Sequence, residues 1–336
     1  MPFPILRAPF VVLSEIISLL ESNEIVTASF CSKNLKCLLK NYCQRKESLE
    51  WRLFMTVYDS YTLVSIANCG IHNRANVMVA DHISELNGAE HGLIETNGYK
   101  RGFSSEFLVL YFEDRVVGSK MIANYVSDLF NVDIYELVIS RNGIWAIDWI
   151  NNRQEKLLGS IALKNNPSDS SDGDEAVDVV LRNGRAFDGL SIGDNVSENF
   201  QFDGKLGPAE HLVIEPFGHW VTVNNLMNFD FINIAIGGSK LSVSDLCSFL
   251  RHWRSGGSSR LTFLSLSFEN DSTFAGNFDE DLEIVETNEV RKYRVTANLE
   301  IELKGGYSIQ RMDGVKATIN CGVRMFTMVV WHADRI

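Results

Sequence analysis

The spacing of apolar residues changes character along this chain. After Pro9, the residues Phe10, Leu13, Ile16, Ile17 and Leu20 recur at helical spacing and make one apolar stripe. Proline suits a first helical turn, where its missing N–H costs nothing. Ser22 is placed to cap a second short helix beginning near Asn23, with Glu24 at its positive end. Ser32 is placed to cap a third, with Leu35, Leu38 and Leu39 inward and Lys33, Lys36 and Lys40 outward. Three short helices bury little surface by themselves. On periodicity alone, their apolar stripe either packs on the larger body behind it or waits for a partner.

Further on, a pattern of apolar-x-x-apolar-x-apolar recurs. It appears as Ile134-Leu137-Ile139, Leu158-Ile161-Leu163, Phe187-Leu190-Ile192, Ala209-Leu212-Ile214, Phe231-Ile234-Ile236 and Leu261-Leu264-Leu266, with a weaker copy at Leu108 and Leu110. Asn166 and Asn195 follow two of the copies. Consecutive copies stand roughly 22–30 residues apart, near the leucine-rich-repeat period. Each copy is expected to give one strand of a parallel sheet along a degenerate solenoid. The returns are uneven. Ser242 to Trp253 reads as a capped helix, Val223 to Phe229 as a helical turn, and Asn183 to Gly189 as loop. The acidic stretch from Asn165 to Asp178 reads as a solvated loop, and its residues do not fit a calcium loop.

The C-terminal stretch switches to period two. Arg294–Leu303, Tyr307–Asp313, Lys316–Cys321 and Arg324–Trp331 read as antiparallel strands, with turn signals at Gly305-Gly306, Asp313-Gly314 and Gly322. They are expected to cover the open end of the solenoid. The fold class is therefore α/β: three helices over residues 1–45, a mixed connecting region over 46–105, the leucine-rich-repeat-like solenoid over 106–270, and capping strands over 271–336.

Two segments carry a family resemblance. The run from Leu6 to Lys33 resembles an F-box without a gap. Pro9, Glu15, Ile16, Leu20, Glu24-Ile25 and Ser32-Lys33 fall where that family has them, while Ala8, Ser22 and Leu35 replace its usual Leu, Pro and Trp. The run Phe249-Leu-Arg-His-Trp253-Arg-Ser-Gly256-Gly257 leading into Leu261, Leu264 and Leu266 resembles the F-box-associated domain of the large nematode F-box families. His211 to Glu215, Trp220 and Leu226 fit its earlier part.

The resemblance implies a substrate-recognition subunit of an SCF-type cullin–RING ubiquitin ligase. Leu6, Pro9, Leu13, Ile16, Ile17, Leu20 and Ile25 would contact the Skp-type adaptor. The solenoid's sheet would read a protein substrate through the residues between its core positions: Glu136, Val138, Ser140, Lys164, His211, Val213, Glu215, Asn233, Phe263 and Ser265. A shallow protein- or peptide-binding face is expected there. The alternative is a leucine-rich-repeat scaffold outside ubiquitination, whose N-terminal helices only cap the solenoid. The two differ in whether the stripe from Phe10 to Leu20 is exposed or packed.

Composition narrows the rest. At 336 residues and 45% apolar content, the chain is long enough for a full core. A net charge of −12 argues against nucleic acid and anionic membranes as partners. The six cysteines are scattered in apolar surroundings, which fits reduced, buried thiols in a cytoplasmic or nuclear protein. There is no phosphate-binding loop, dinucleotide fingerprint or nucleophile elbow, so neither an enzyme nor a cofactor is expected. His82, Glu85 and His91 form the one cluster that invites a metal, and their spacing is too long for a zinc helix.

Overall fold

A computed structural model describes residues 9–45, 51–68, 71–86, 94–96, 99–103, 107–166, 171–268, 278–296 and 299–332. The chain divides into two compact units, residues 1–158 and 159–336.

The first unit begins with α1 (Phe10–Ser18), α2 (Ser22–Ser29) and α3 (Lys33–Arg45). Pro9 sits at the N-cap of α1 with φ −54°. The cap of α2 is Glu21 rather than Ser22, and the Glu24 carboxylate accepts from the Glu21 N–H at 2.8 Å. Ser32 does cap α3, its hydroxyl accepting from the Leu35 N–H at 3.2 Å.

Five strands then fall in the stretch whose pattern is hard to read: β1 (Trp51–Val57), β2 (Tyr61–Asn68), β3 (Ile71–His82), β4 (Ile94–Thr96) and β5 (Tyr99–Phe103). They are followed by β6 (Leu108–Phe112), α4 (Arg115–Phe130), β7 (Ile134–Ile139) and α5 (Trp145–Arg153). The strand order is β7-β1-β2-β3-β6-β5-β4, parallel at β1/β7 and β3/β6 and antiparallel elsewhere. This corrects the reading of Leu108–Leu110 and Ile134–Ile139 as consecutive solenoid turns. The meander β1–β3 stands between β6 and β7, so the two segments are not sheet neighbours.

The N-terminal helices are bolted to α4. The Phe30 ring stacks on Tyr125 with centroids 4.4 Å apart, Ser29 Oγ and Tyr125 OH share a hydrogen bond of 2.8 Å, and the Lys36 ammonium lies 4.0 Å from the same ring centroid. Lys40 and Lys36 both reach Asp128. Their hydrogen bonds, Lys40 foremost, hold that carboxyl below its ordinary range.

The second unit runs through β8 (Leu158–Lys164), α6 (Asp174–Asn183), β9 (Ala186–Gly193), β10 (Leu206–Ile214), α7 (Val223–Asn228), β11 (Phe229–Ser239), α8 (Val243–Arg254) and β12 (Phe263–Phe268). Strands β9, β10, β11 and β12 are parallel neighbours in that order. Register aligns the repeat's core positions into two rows, Leu190–Leu212–Ile234–Leu264 and Ile192–Ile214–Ile236–Leu266, all buried. Every apolar position singled out in these copies is buried except Phe187, which is 50% exposed. Pairing of β9 with β10 begins at Gly189, so Phe187 lies before the ladder starts.

Two returns differ from expectation. The acidic stretch becomes helix from Asp174, because Ala176, Val177, Val180 and Leu181 share a buried face and Asp174 and Glu175 suit the positive end. Residues 167–170 of that stretch lie outside the described residues. Asn183 to Gly189 is mostly the start of β9 rather than loop.

The expected helix from Ser242 is α8, with Ser242 and Asp245 in a reciprocal capping box. Its end explains the run His252-Trp253…Gly256-Gly257. Trp253 is fully buried, Gly256 turns the chain at φ +101°, and a Cβ on Gly257 would stand 2.1 Å from His252 Nε2.

Four antiparallel strands follow: β13 (Val285–Thr296), β14 (Leu299–Gln310), β15 (Lys316–Cys321) and β16 (Met325–Trp331). The order continues β12-β16-β15-β14-β13, so β16 pairs the edge of the parallel run. Gly305-Gly306 is not a turn. Strand β14 passes through it with φ of +70° and +119°, opposite a register shift in β13. A Cβ on Gly306 would lie 2.3 Å from the Ile319 carbonyl oxygen. Residues 307–310 of β14 pair with β15, while the part before the glycines pairs only with β13 and bends over the sheet face.

Two measurements probe these contacts. Tyr125→Ala removes a stacked ring, a hydrogen bond and a cation contact, and should lower stability by about 2 kcal/mol in denaturant unfolding. Burial alone pushes the His252 imidazole below its ordinary value. The folded chain therefore resists the proton that the unfolded chain takes up below about pH 6.5, and stability falls as pH drops through that value. A His252→Gln chain should lose less Tm between pH 7.5 and 5.5 than the natural one.

Candidate functional site: a groove beneath the C-terminal hairpin

On the face of the parallel sheet opposite the Leu/Ile rows, His211, Asn233 and Phe263 stand side by side, as do Val213, Ala235 and Ser265. Strand β16 extends these rows with Val329 and Thr327. The hairpin of β13 and β14 roofs them. Leu303 joins Phe263 and Val329 in a small core, with Tyr293, Val295, Ile301 and Trp331 packed against it. The Tyr293 ring lies parallel to Phe263 at 5.9 Å and 9°, and meets Trp331 edge-on at 6.1 Å. The Tyr293 hydroxyl donates to Thr262 Oγ1 at 2.8 Å, and Thr262 Oγ1 lies 3.1 Å from Asn233 Oδ1.

Between floor and roof lies a cavity of about 650 Å³. Its floor is Val213, Ala235, Phe263 and Ser265, and its roof is Val295, Ile301, Glu302 and Leu303, with Asn320, Met325 and Thr327 closing one side. The expectation of a shallow open face is thus corrected: the bend at Gly305-Gly306 folds the hairpin back and makes the face a groove. Among the described residues that line it, Glu215 and Glu302 are the carboxylates, and there is neither lysine nor arginine. Glu302 pairs with Lys304 at 3.1 Å.

At one end, His211 shares a 3.2 Å hydrogen bond between its Nδ1 and Asn233 Nδ2, and its Nε2 lies 3.9 Å from Glu210 Oε2. Ligand atoms of Asp188, Glu210 and His211 all fall within 4.8 Å of one another, the one grouping among the described residues with the donor set for a cation.

Of the ten residues expected to read a substrate, His211, Val213, Glu215, Asn233, Phe263 and Ser265 converge on this groove. Lys164 is exposed at the end of β8 and does not line it. Glu136, Val138 and Ser140 lie in the first unit, engaged locally: Glu136 pairs with Arg74 at 3.1 Å, Val138 is buried, and Ser140 Oγ donates to Asp59 at 2.6 Å. The roof residues were missed. Their signal was the alternation of Val295, Ile301 and Leu303 with charged neighbours, an apolar face that needs a cover.

At the N-terminal helices, Leu6 lies outside the described residues, Pro9 is exposed, Ile16 and Leu20 are half-buried, and Leu13, Ile17 and Ile25 are buried. The stripe is thus divided. Val11, Val12 and Leu19 form the apolar surface that solvent sees, Val11 at 72% and Leu19 at 82% exposure.

His82 is held through both ring nitrogens, by Ser84 Oγ at 2.7 Å and the Glu113 carbonyl at 3.1 Å. His91 lies outside the described residues. Cys43 and Cys247 are buried, but Cys31 and Cys37 are exposed, which corrects their reading as interior thiols. Burial raises the Cys321 thiol to about 11. No helix among the described residues is long and apolar enough to cross a membrane.

Compared with known proteins, residues 206–266 match a family model described as F-box associated. No curated protein and no solved structure matches the chain. The matched segment comprises β10, α7, β11, α8 and β12 up to Leu266, which is to say the floor of the groove and the His252-Trp253 helix end that sets β12 in place.

If Tyr293 seals the roof, Tyr293→Ala should raise amide hydrogen exchange across β13 and residues 299–304 of β14 at least tenfold. Protection in β10 and β11 should stay unchanged.

Proposed function

We propose that this protein is the substrate-receptor subunit of an SCF-type cullin–RING ubiquitin ligase. The observation that carries the proposal is the coincidence of the F-box-associated match with the groove floor: the segment the family shares is the one that builds the floor of a concave groove. The N-terminal helices serve as the F-box, resembling those of nematode F-box proteins, and dock a Skp-type adaptor. The exposed Val11, Val12 and Leu19 would carry that contact, with Ile16 and Leu20 at its margin. In this reading Leu13, Ile17 and Ile25 act indirectly, by holding the helices at the angle the adaptor meets. The protein itself makes and breaks no bonds, and works in the cytoplasm or nucleus.

A second reading has one observation in its favour. Because Leu13, Ile17 and Ile25 are already buried against their own chain, the helices could serve only as a cap on a free-standing binding scaffold.

Co-elution decides between them. The full chain should shift a purified Skp-type adaptor on size exclusion. A Val12→Asp, Leu19→Asp chain should not, while melting as the natural chain does, since both positions are exposed. Absence of a shift with several adaptor paralogues would overturn the ligase assignment and leave the scaffold.

A further inference from the structure

The groove's charges select its occupant. Its centre is apolar, from Val213 and Ala235 below to Val295 and Ile301 above. Of its two lining carboxylates among the described residues, Glu302 is paired with Lys304 and Glu215 is left to meet a ligand. At one end His211 is grouped with Asp188 and Glu210. Four residues further along the chain stands Glu215, exposed and, among the described residues, without an ion-pair partner. Four residues of strand span about 13 Å. Carboxylates therefore flank an apolar trough, Glu215 just past the end of β10 and the others beside His211 within it.

An extended peptide repeats this geometry. Its residues i, i+2 and i+4 point to one face, and i and i+4 are also about 13 Å apart. Resting on the proposed role of the groove as substrate site, we infer that its occupant is an extended peptide with Lys or Arg at positions i and i+4 and an apolar side chain at i+2. The central side chain enters the trough over Ala235. One basic group meets Glu215, and the other meets Glu210, which stands beside the lining residue His211. The net charge of −12 adds a long-range attraction of the same sign but supplies no spacing. Spacing and the apolar centre are therefore what mark recognition by the groove.

The test is selection of a displayed random dodecapeptide library on the immobilised full chain. It is run in the presence of a chelator, so that no cation occupies the Asp188–Glu210–His211 group, and is paralleled on Ala235→Trp and, as a second block, Ser265→Trp. Binders should carry two basic residues four apart around an apolar one, and both blocked chains should lose them. For the best peptide, Glu215→Gln should weaken binding about three- to fivefold by anisotropy, the scale of one half-exposed charge pair. Replacing the central apolar residue with Ser should weaken it more.

Binders that are neutral or acidic, yet lost on the blocked chains, would overturn the charge inference and leave the groove as the binding site. Binders indifferent to both blocks, or no binders at all, would overturn the groove reading together with it.

Discussion

The second unit is organised by the need to pair the last edge of its parallel run. Strand β12 has β11 on one side and would present bare N–H and C=O groups on the other. Strand β16, near the end of the chain, satisfies that edge by antiparallel pairing from Phe263↔Val329 to Ser267↔Met325. For a strand so late in sequence to reach β12, the preceding three must line up outward from it, and β13 with the part of β14 before Gly305 is left paired only with each other. Their apolar face, with Val295, Ile301 and Leu303, then has nothing to bury against except the outward face of the parallel run. Gly305 and Gly306 allow the bend, and the stack of Tyr293 on Phe263 holds it. The groove is thus a by-product of protecting an edge.

Much of this was legible, and what was not has a physical cause. The repeat's core positions were readable because burial of Leu212, Ile234 and Leu264 in one row demands the same residue type at the same place in each turn. The alternation after Arg294 marked strand, but Arg294–Leu303 is not one strand: β13 ends at Thr296 and β14 runs from Leu299 through to Gln310. The bend was not readable. A Gly-Gly pair is the signature of a turn as well as of a bulged strand, and only the missing space beside the Ile319 carbonyl distinguishes them. Leu108 and Leu110 matched the repeat because a buried strand of any topology favours them, and nothing local records that three strands intervene in the sheet. The floor of the candidate site was found from one sheet face alone, through His211, Val213, Glu215, Asn233, Phe263 and Ser265. The roof was invisible because it depends on contacts some thirty to eighty residues away in sequence, such as Tyr293 with Phe263 and Leu303 with the floor.

In the first unit the same logic explains the divided stripe. A helix of nine residues cannot stay folded alone, so part of its apolar surface must be spent on its own chain. Leu13 and Ile17 serve that end, while Tyr125 and Asp128 of α4 fix α2 and α3 through Phe30, Ser29, Lys36 and Lys40. What remains outside is Val11, Val12 and Leu19, which lie off the stripe that periodicity selects. A helical pattern identifies the face a helix buries in its own fold, and what that face leaves over stays open to solvent.

The family-matched segment ends at Leu266, but the groove needs residues out to Thr327, so the match must reach the roof indirectly. It does so at the end of α8. Trp253 is buried there with the Arg311 guanidinium 5.5 Å from its ring centroid, and the Met312 N–H donates to the Arg254 carbonyl at 3.1 Å. Arg311 is itself clamped to Asp313, whose carboxyl its guanidinium draws down to about 2. These residues form the turn between β14 and β15, the point from which β14 departs toward the bend. The His-Trp pair is therefore an anchor. His252 lies against Gly257 and sets the turn into the floor strand β12, while Trp253 holds the turn that carries the roof. One helix end fixes both walls of the groove, and a substitution there would change the groove's shape without touching its lining.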